Sequence, residues 1–197
     1  MSEHGFLRVS EWAGWSVCPG RPWLEDNHPA PVPDPISESE ECLNRLKARV
    51  QTHQDATASV QIITDTRLDL SVITGERHAN ATAWRVVVAQ YADHSTLEVW
   101  QPGASEEELQ FLGFAAFLQH ALLHHFTSIA LVGDSEWIRV PDELYVFGQR
   151  VTEAAHLALS IQGEPETSQL IVSDACSTCR ALRSCPAARR QAALELV

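Results

Sequence analysis

Three cysteines near the end of the chain constrain its fold more than any other feature of the sequence. They read Cys176-Ser-Thr-Cys179-Arg-Ala-Leu-Arg-Ser-Cys185, a C-x2-C-x5-C spacing that brings thiols from neighbouring turns to one centre. Cys18 supplies a fourth thiol from far upstream, within a Cys-Pro-Gly breaker. Four thiolates are the ligand set of a tetrahedral zinc ion or a cubane iron–sulfur cluster. The pattern therefore predicts one metal centre built from both ends of the chain, and buried cysteines without metal are the alternative.

Disulfide bonds are a less favoured use of these cysteines. The opening residues lack a basic segment followed by an apolar one, so we predict no secretory signal and expect the chain in the cytoplasm, where thiols stay reduced. No run of 18 apolar residues occurs, so no membrane span is predicted. No P-loop, G-x-G-x-x-G or G-x-S-x-G motif is present, so nothing predicts a nucleotide or α/β-hydrolase chemistry.

The charge of the chain bears on its partners. A formal charge of −12 disfavours DNA, because affinity for a duplex comes largely from Lys and Arg. The segment 175–190 is one place where positive charge is concentrated, because it contains four arginines and no acid. Its arginines are the predicted DNA contacts, with an ordinary solvated helix face as the alternative. They are Arg180, Arg183, Arg189 and Arg190.

The periodicity of the sequence predicts a mixed α/β domain around one central sheet. Predicted helices cover about 10–17, 39–53, 105–125, 141–161 and 177–194, and predicted strands cover 59–65, 83–91, 95–101, 127–133 and 136–140. The chain is expected to be one domain, 1–197. Its parts are an N-terminal helix with the first cysteine (1–25), a proline-rich linker (26–38), a helix–sheet–helix region (39–165) and a C-terminal cysteine and arginine segment (166–197).

The cysteine pattern resembles that of RecB-type nucleases in the PD-(D/E)XK superfamily, which include CRISPR-associated exonucleases and the nuclease domain of a bacterial recombination helicase–nuclease. In those proteins a [4Fe-4S] cluster ties the N-terminal segment to the C-terminal end. The resemblance implies a nuclease-like α/β fold, a central mixed sheet flanked by helices, and a structural [4Fe-4S] cluster, with zinc as the alternative. Its ligands would be Cys18, Cys176, Cys179 and Cys185.

The chain is more similar still to a phage and prophage family of unassigned function in that superfamily. Trp15 and Cys18-Pro-Gly20 match its W-x-x-C-P-G segment, and residues 67–71 match its R-L-D-L-S phrase. Gln110 begins its Q-x-x-x-Y helix, with Phe114 in place of tyrosine, and the segment from 136 to 159 resembles its late strand and helix. The likeness covers most of the chain in order. It implies a phage or prophage origin and makes Gln110 a candidate DNA contact.

The catalytic residues of such a nuclease are replaced. In the superfamily, an Asp and a second acid hold Mg²⁺ or Mn²⁺, and a lysine stabilises the developing charge. The resemblance aligns Ala83 with the first Asp, Gln101 with the second acid and Gly103 with the lysine. Lys47, the only lysine, lies on an early predicted helix, so no strand carries an acid-x-Lys motif. We therefore assign no catalytic residue.

Two sets of side chains remain as weaker candidates. Asp69, Asp93 and Glu98 lie near the predicted strands and would have to hold Mg²⁺ or Mn²⁺ in an active enzyme, although solvated turn carboxylates are the favoured interpretation. His120 and His124 have the i, i+4 spacing that can bind zinc, but the glutamate of the HExxH motif is absent. We expect these histidines at the surface or the edge of the core.

The leading expectation is a catalytically degenerate, iron–sulfur-stapled nuclease-like protein. It would bind DNA or a protein of a host or phage recombination, repair or defence system, and the acidic charge favours the protein. An active metal-dependent DNA exonuclease with relocated carboxylates is the second hypothesis. A zinc-stapled protein–protein adaptor is the third.

Overall fold

The computed structural model describes Cys18, Gly20, residues 40–69, 80–160 and 170–173, Cys176, Cys179 and residues 181–194. The predicted helix at 10–17, the proline-rich linker and Arg180 lie outside these residues. The described helices are α1 (Glu40–Asp55), α2 (Glu106–His120), α3 (Pro141–Ser160) and α4 (Pro186–Leu194), and the described strands are β1 (Ser59–Asp69), β2 (Asn80–Gln90), β3 (Ser95–Trp100), β4 (Phe126–Val132) and β5 (Glu136–Arg139). None of these helices is long and apolar enough to cross a membrane.

The sheet has five described strands in the order β1-β2-β3-β4-β5. The first three form an antiparallel meander. β4 runs parallel to β3, and α2 makes the crossover that a parallel pair requires. β5 returns antiparallel along β4. The predicted α/β class, with a mixed sheet flanked by helices, is confirmed in this coarse form.

Helices cover both faces of the sheet and enclose two apolar cores. The main core joins one face to α2 and α3, and includes Val86, Leu97, Phe111, Ile129 and Leu144. A smaller core lies between the other face and α1. Its buried members are Cys42, Leu46, Trp84, Val87, Trp100, Ala130 and Val132.

Residues of β2 alternate between the two cores, and this alternation is interrupted near the start of the strand. Val86 and Val88 belong to the main core and Val87 to the smaller one, as alternation along a strand requires. Nearer the start of β2 the order is reversed, with Ala83 in the main core and Trp84 in the smaller one. Ala83 is therefore fully buried.

Both boundaries of α2 follow from local interactions. Ser105 caps the helix, and its hydroxyl and the Glu108 carboxylate form a capping box. The helix ends at His120, five residues before the predicted end, because β4 must begin at Phe126 to pair with β3. The N–H of Ser95 already donates to the carbonyl of His125 at 2.8 Å. Leu122, in the turn that follows the helix, is consequently 94% exposed.

The last helix is also shorter than predicted. α4 begins at Pro186, and a turn at 181–184 precedes it. Proline has no N–H and fits only the first turn of a helix, so the helix cannot extend upstream through this residue. The prediction of one helix from 177 to 194 was wrong for this reason.

Candidate functional site

The residues aligned with nuclease catalytic positions lie at one edge of the sheet. Arg85 pairs with Trp100, so the beginning of β2 and the end of β3 are neighbours. Ala83 has no solvent exposure and packs in the main core. The side-chain oxygen of Gln101 accepts a hydrogen bond from the backbone N–H of Trp84 at 2.8 Å. These two positions therefore carry a buried methyl group and a bonded amide, and neither supplies a carboxylate ligand.

Gly103 occupies a turn that disfavours a lysine. Its φ of 74° lies in the left-handed region, which glycine adopts without steric cost. The turn is closed by a hydrogen bond from the N–H of Ala104 to the carbonyl of Gln101 at 3.2 Å. The N–H of Gly103 also donates to Asp134 Oδ1 at 3.3 Å. A lysine at this position would have to adopt a backbone conformation that residues with a side chain rarely take.

Two of the three fallback acids lie at opposite ends of a hairpin. Asp69 is opposite Asn80, the first residue of β2, whereas Asp93 lies in the turn that follows β2. Eleven strand residues separate these ends, a distance of roughly 35 Å at about 3.3 Å per residue. A hydrogen bond with the His94 ring, 2.7 Å away, holds the pKa of Asp93 below its ordinary value. Asp69 and Asp93 cannot share one metal ion.

The third acid, Glu98, is buried in the smaller core and is 2% exposed. Its Oε1 atom lies 2.8 Å from His53 Nε2 and 3.1 Å from Arg49 Nε. Its Oε2 atom accepts a hydrogen bond from Trp100 Nε1 at 3.0 Å. Both oxygens of this carboxylate are thus bonded to side chains of α1 and β3.

The bonding extends beyond the carboxylate. His53 Nδ1 lies 2.6 Å from the Tyr91 hydroxyl. The hydrogen-bond network assigns the tautomer of His53. Nε2 carries the proton and donates it in a hydrogen bond to Glu98, so Nδ1 accepts a hydrogen bond from the Tyr91 hydroxyl. Arg49 also pairs with Glu136 at the start of β5. We call these six residues, Arg49, His53, Tyr91, Glu98, Trp100 and Glu136, the Glu98 cluster.

Sequence reasoning missed the Glu98 cluster, because it treated Glu98 as a solvated residue near a strand end. Two signals could have found it. Glu98 and Trp100 are two residues apart and therefore share one face of β3. Arg49 and His53 are i, i+4 neighbours on α1. The cluster joins α1 to the sheet, and its complete pairing is that of a structural ion-pair network.

Arginines surround the edge where β3 ends. The Arg85 guanidinium lies 4.5 Å from the Trp84 ring and donates to the Trp84 carbonyl at 2.7 Å. The Arg45 guanidinium lies 5.9 Å from the Trp100 ring and donates to the Gly133 carbonyl at 3.3 Å. Cation–π contacts of this kind fix positive charge beside Trp84 and Trp100, next to Gln101.

The C-terminal cysteines lie on tightly turned backbone. The N–H of Cys179 donates to the Cys176 carbonyl at 3.0 Å, and that of Cys185 donates to Ala181 at 2.9 Å. The N–H of Ser173 donates to Cys176 Sγ at 3.3 Å, the kind of bond that tunes metal-bound sulfur. None of the cysteines forms a disulfide, and the donor chemistry fits an iron–sulfur cluster or zinc. In the described residues, which include Cys18, no three metal-binding side chains come together, so the four-cysteine centre stays a prediction.

The candidate DNA contacts lie on different elements. Gln110, on α2, donates to Glu106 at 3.0 Å, and Glu106 also pairs with Arg139. Arg183, Arg189 and Arg190 are exposed on the C-terminal segment. Their backbone bonds stay within that segment, with Arg189 Nε donating to the Arg183 carbonyl at 3.0 Å. The three arginines form an accessible basic surface, whereas the Gln110 amide is already bonded.

Comparisons with known proteins give no family for the chain. No protein-family model matches it. No curated protein matches it. Among solved structures, the crystal structure of SSO0001 is similar over 95% of this chain and 88% of its own, with 10% sequence identity and a TM-score of 0.41. A likeness of this size assigns neither a fold family nor a function.

Proposed function

We propose that this protein is a catalytically inactive relative of RecB-type PD-(D/E)XK nucleases that acts by binding. The observation that carries the proposal is the sheet edge formed by β2 and β3. The three positions that the resemblance aligns with catalysis meet there, and they hold Ala83, Gln101 and Gly103. Ala83 is buried, Gln101 bonds the Trp84 backbone, and Gly103 has a positive φ.

The fallback acids support the same conclusion. Asp69 and Asp93 lie too far apart to bind one ion, and the Glu98 oxygens accept hydrogen bonds from His53 and Trp100. We therefore expect no degradation of linear DNA with Mg²⁺ or Mn²⁺, measured on the full chain purified without oxygen. Metal-dependent degradation that is lost in Glu98→Gln, with folding preserved, would instead support the exonuclease hypothesis.

A protein of a DNA recombination, repair or defence system is the partner that the charge favours. The chain has a formal charge of −12, which repels a polyanionic duplex and suits a basic protein surface. Immobilised full-length protein should retain a basic domain of a nucleic-acid-processing protein at physiological salt and release it as salt rises. Retention that is insensitive to salt would contradict an electrostatic interface.

DNA is the second candidate, on the strength of the exposed arginines beside and within α4. The test is DNA affinity at low salt for wild type and for the Arg189→Ala/Arg190→Ala double variant. Arg150→Ala, which removes an exposed arginine on α3, is the matched control. Loss of affinity in the double variant alone assigns the contact, whereas equal affinity in all three proteins excludes it.

The four cysteines would hold a structural [4Fe-4S] cluster, or zinc in the adaptor hypothesis, and they take no part in a reaction. Such a centre would tie Cys18 to the C-terminal segment and contribute directly to folding. Iron, acid-labile sulfide and broad visible absorption are the expected findings. Colourless protein with one zinc would favour the adaptor. A stable, metal-replete Cys18→Ser protein would contradict the four-ligand centre.

A further inference from the structure

Two histidines lie together at the C-terminal end of α2. His120 is the last residue of the helix, and His124 follows after a turn. In that turn the N–H of Leu123 donates to the His120 carbonyl at 3.0 Å, which keeps the chain coiled. Burial lowers the pKa of His120, and positive charge on His124 lowers it further.

One nitrogen of each ring is shielded from solvent and unpaired. These atoms are His120 Nε2 and His124 Nδ1, and neither has a hydrogen-bond partner in the part of the chain that the structure describes. A buried polar atom without a partner costs about 1–3 kcal/mol, so native proteins rarely keep one. Two such imidazole nitrogens, four residues apart on one coiled turn, indicate a ligand that binds both.

A cavity of about 510 Å³ opens beside His124. His124 lines it, between Phe117 and Phe126, and its polar wall is formed by His125, Thr127 and Asp142. The cavity lies at the C-terminal end of α2, where the helix dipole favours positive charge. A cation reaching His124 would thus find polar groups able to hydrogen-bond its water ligands.

We propose that His120 Nε2 and His124 Nδ1 bind a divalent transition-metal ion of the Zn²⁺ or Ni²⁺ class. Neutral imidazole is the ligand that these ions prefer. Within the described ranges no third His, Cys, Asp or Glu joins the pair, so water completes the coordination from the cavity. A site with two protein ligands exchanges its ion with the medium. It is chemically distinct from the four-thiolate centre, and it does not depend on the proposed function.

The test is a Zn²⁺ titration of full-length protein with its cysteine centre intact, followed by NMR of ¹⁵N-labelled histidine rings. The His120 and His124 resonances should shift together. Substituting either residue should weaken binding roughly tenfold or more, at least the loss seen when support of a metal ligand is removed. His156→Ala, at an exposed position on α3, should bind as wild type does. Ring resonances that do not respond, or an equal loss in His156→Ala, would overturn the proposal.

Two further measurements control for a change in folding and for metal binding by the cysteines. Because alanine at 120 could loosen the end of α2, His120→Gln provides a variant of similar size, and circular dichroism checks its fold. Titration with Co²⁺ separates the possible ligands, since nitrogen and oxygen ligands give weak visible bands and thiolates give intense charge-transfer bands. Intense bands that disappear in Cys18→Ser would assign the metal to the cysteines and refute the histidine site.

Discussion

Histidine nitrogens are shielded from solvent in two parts of the described structure, and the two differ in how fully those nitrogens are paired. In the Glu98 cluster both nitrogens of His53 are bonded, one to Glu98 at 2.8 Å and one to Tyr91 at 2.6 Å. At the end of α2, His120 and His124 each leave one buried nitrogen unpaired within the described residues. A fully paired network holds elements of the fold together, whereas unpaired nitrogens can bind a ligand. The contrast predicts opposite responses to substitution and to metal.

The largest expected effect is the loss of the carboxylate at the centre of the Glu98 cluster. Glu98→Ala leaves Arg49 and His53 without their shared partner, and breaking a buried pair in this way costs about 3–5 kcal/mol. Urea unfolding should show that loss. Glu153→Ala, which removes an exposed carboxylate on α3, is the control and should change stability by less than about 0.5 kcal/mol. Similar stabilities for the two variants would mean that the cluster does not anchor α1.

The next effect concerns the unpaired histidines. Zinc at a hundredfold excess over its Kd should raise the free energy of unfolding of wild type by about 2.7 kcal/mol, because it binds the folded state alone. Unfolding with and without zinc measures this gain. His124→Ala should lose it, whereas Tyr91→Phe should keep it. A gain that survives in His124→Ala would show that the zinc binds elsewhere.

A smaller effect is expected from the outer hydrogen bond of the Glu98 cluster. Tyr91→Phe removes the hydroxyl that lies 2.6 Å from His53 Nδ1 and leaves the ring stacked on His94. The cost should be about 0.5–1.5 kcal/mol, the usual net contribution of one hydrogen bond. The loss should disappear when His53→Leu is already present, and a double-mutant cycle measures this coupling. Additive losses would show that the two residues do not interact.

The elements of this fold are largely visible in the sequence, because their signals are local. The β-branched runs at 83–91 and 95–101 predict strands, and Ser105 with Glu108 predicts the start of α2. The end of α2 has no local signal in the sequence, because the pairing of β4 with β3 fixes it. The Glu98 cluster depends on pairing across 45 residues between His53 and Glu98, which no periodicity reveals.

The sheet edge at Ala83, Gln101 and Gly103 lies between these cases. Resemblance alone aligns these residues with catalytic positions, and the single lysine already shows from the sequence that no predicted strand carries an acid-x-Lys motif. The positive φ of Gly103 and the bond from Trp84 to Gln101 require coordinates. They add a physical point: a lysine at position 103 would have to adopt a positive φ, which residues other than glycine rarely take.

The smallest expected effect is that of replacing His124 with phenylalanine, and the same replacement at His53 gives the most direct contrast. In metal-free protein, His124→Phe exchanges an imidazole that has an unpaired nitrogen for an apolar ring beside Phe126. No hydrogen bond of Nδ1 is lost, so stability should change by less than about 0.5 kcal/mol or should rise. His53→Phe, the same exchange inside the Glu98 cluster, removes two hydrogen bonds and should destabilise clearly in the same urea experiment. Equal losses would show that His124 is paired in solution, which would also remove the basis for the metal site.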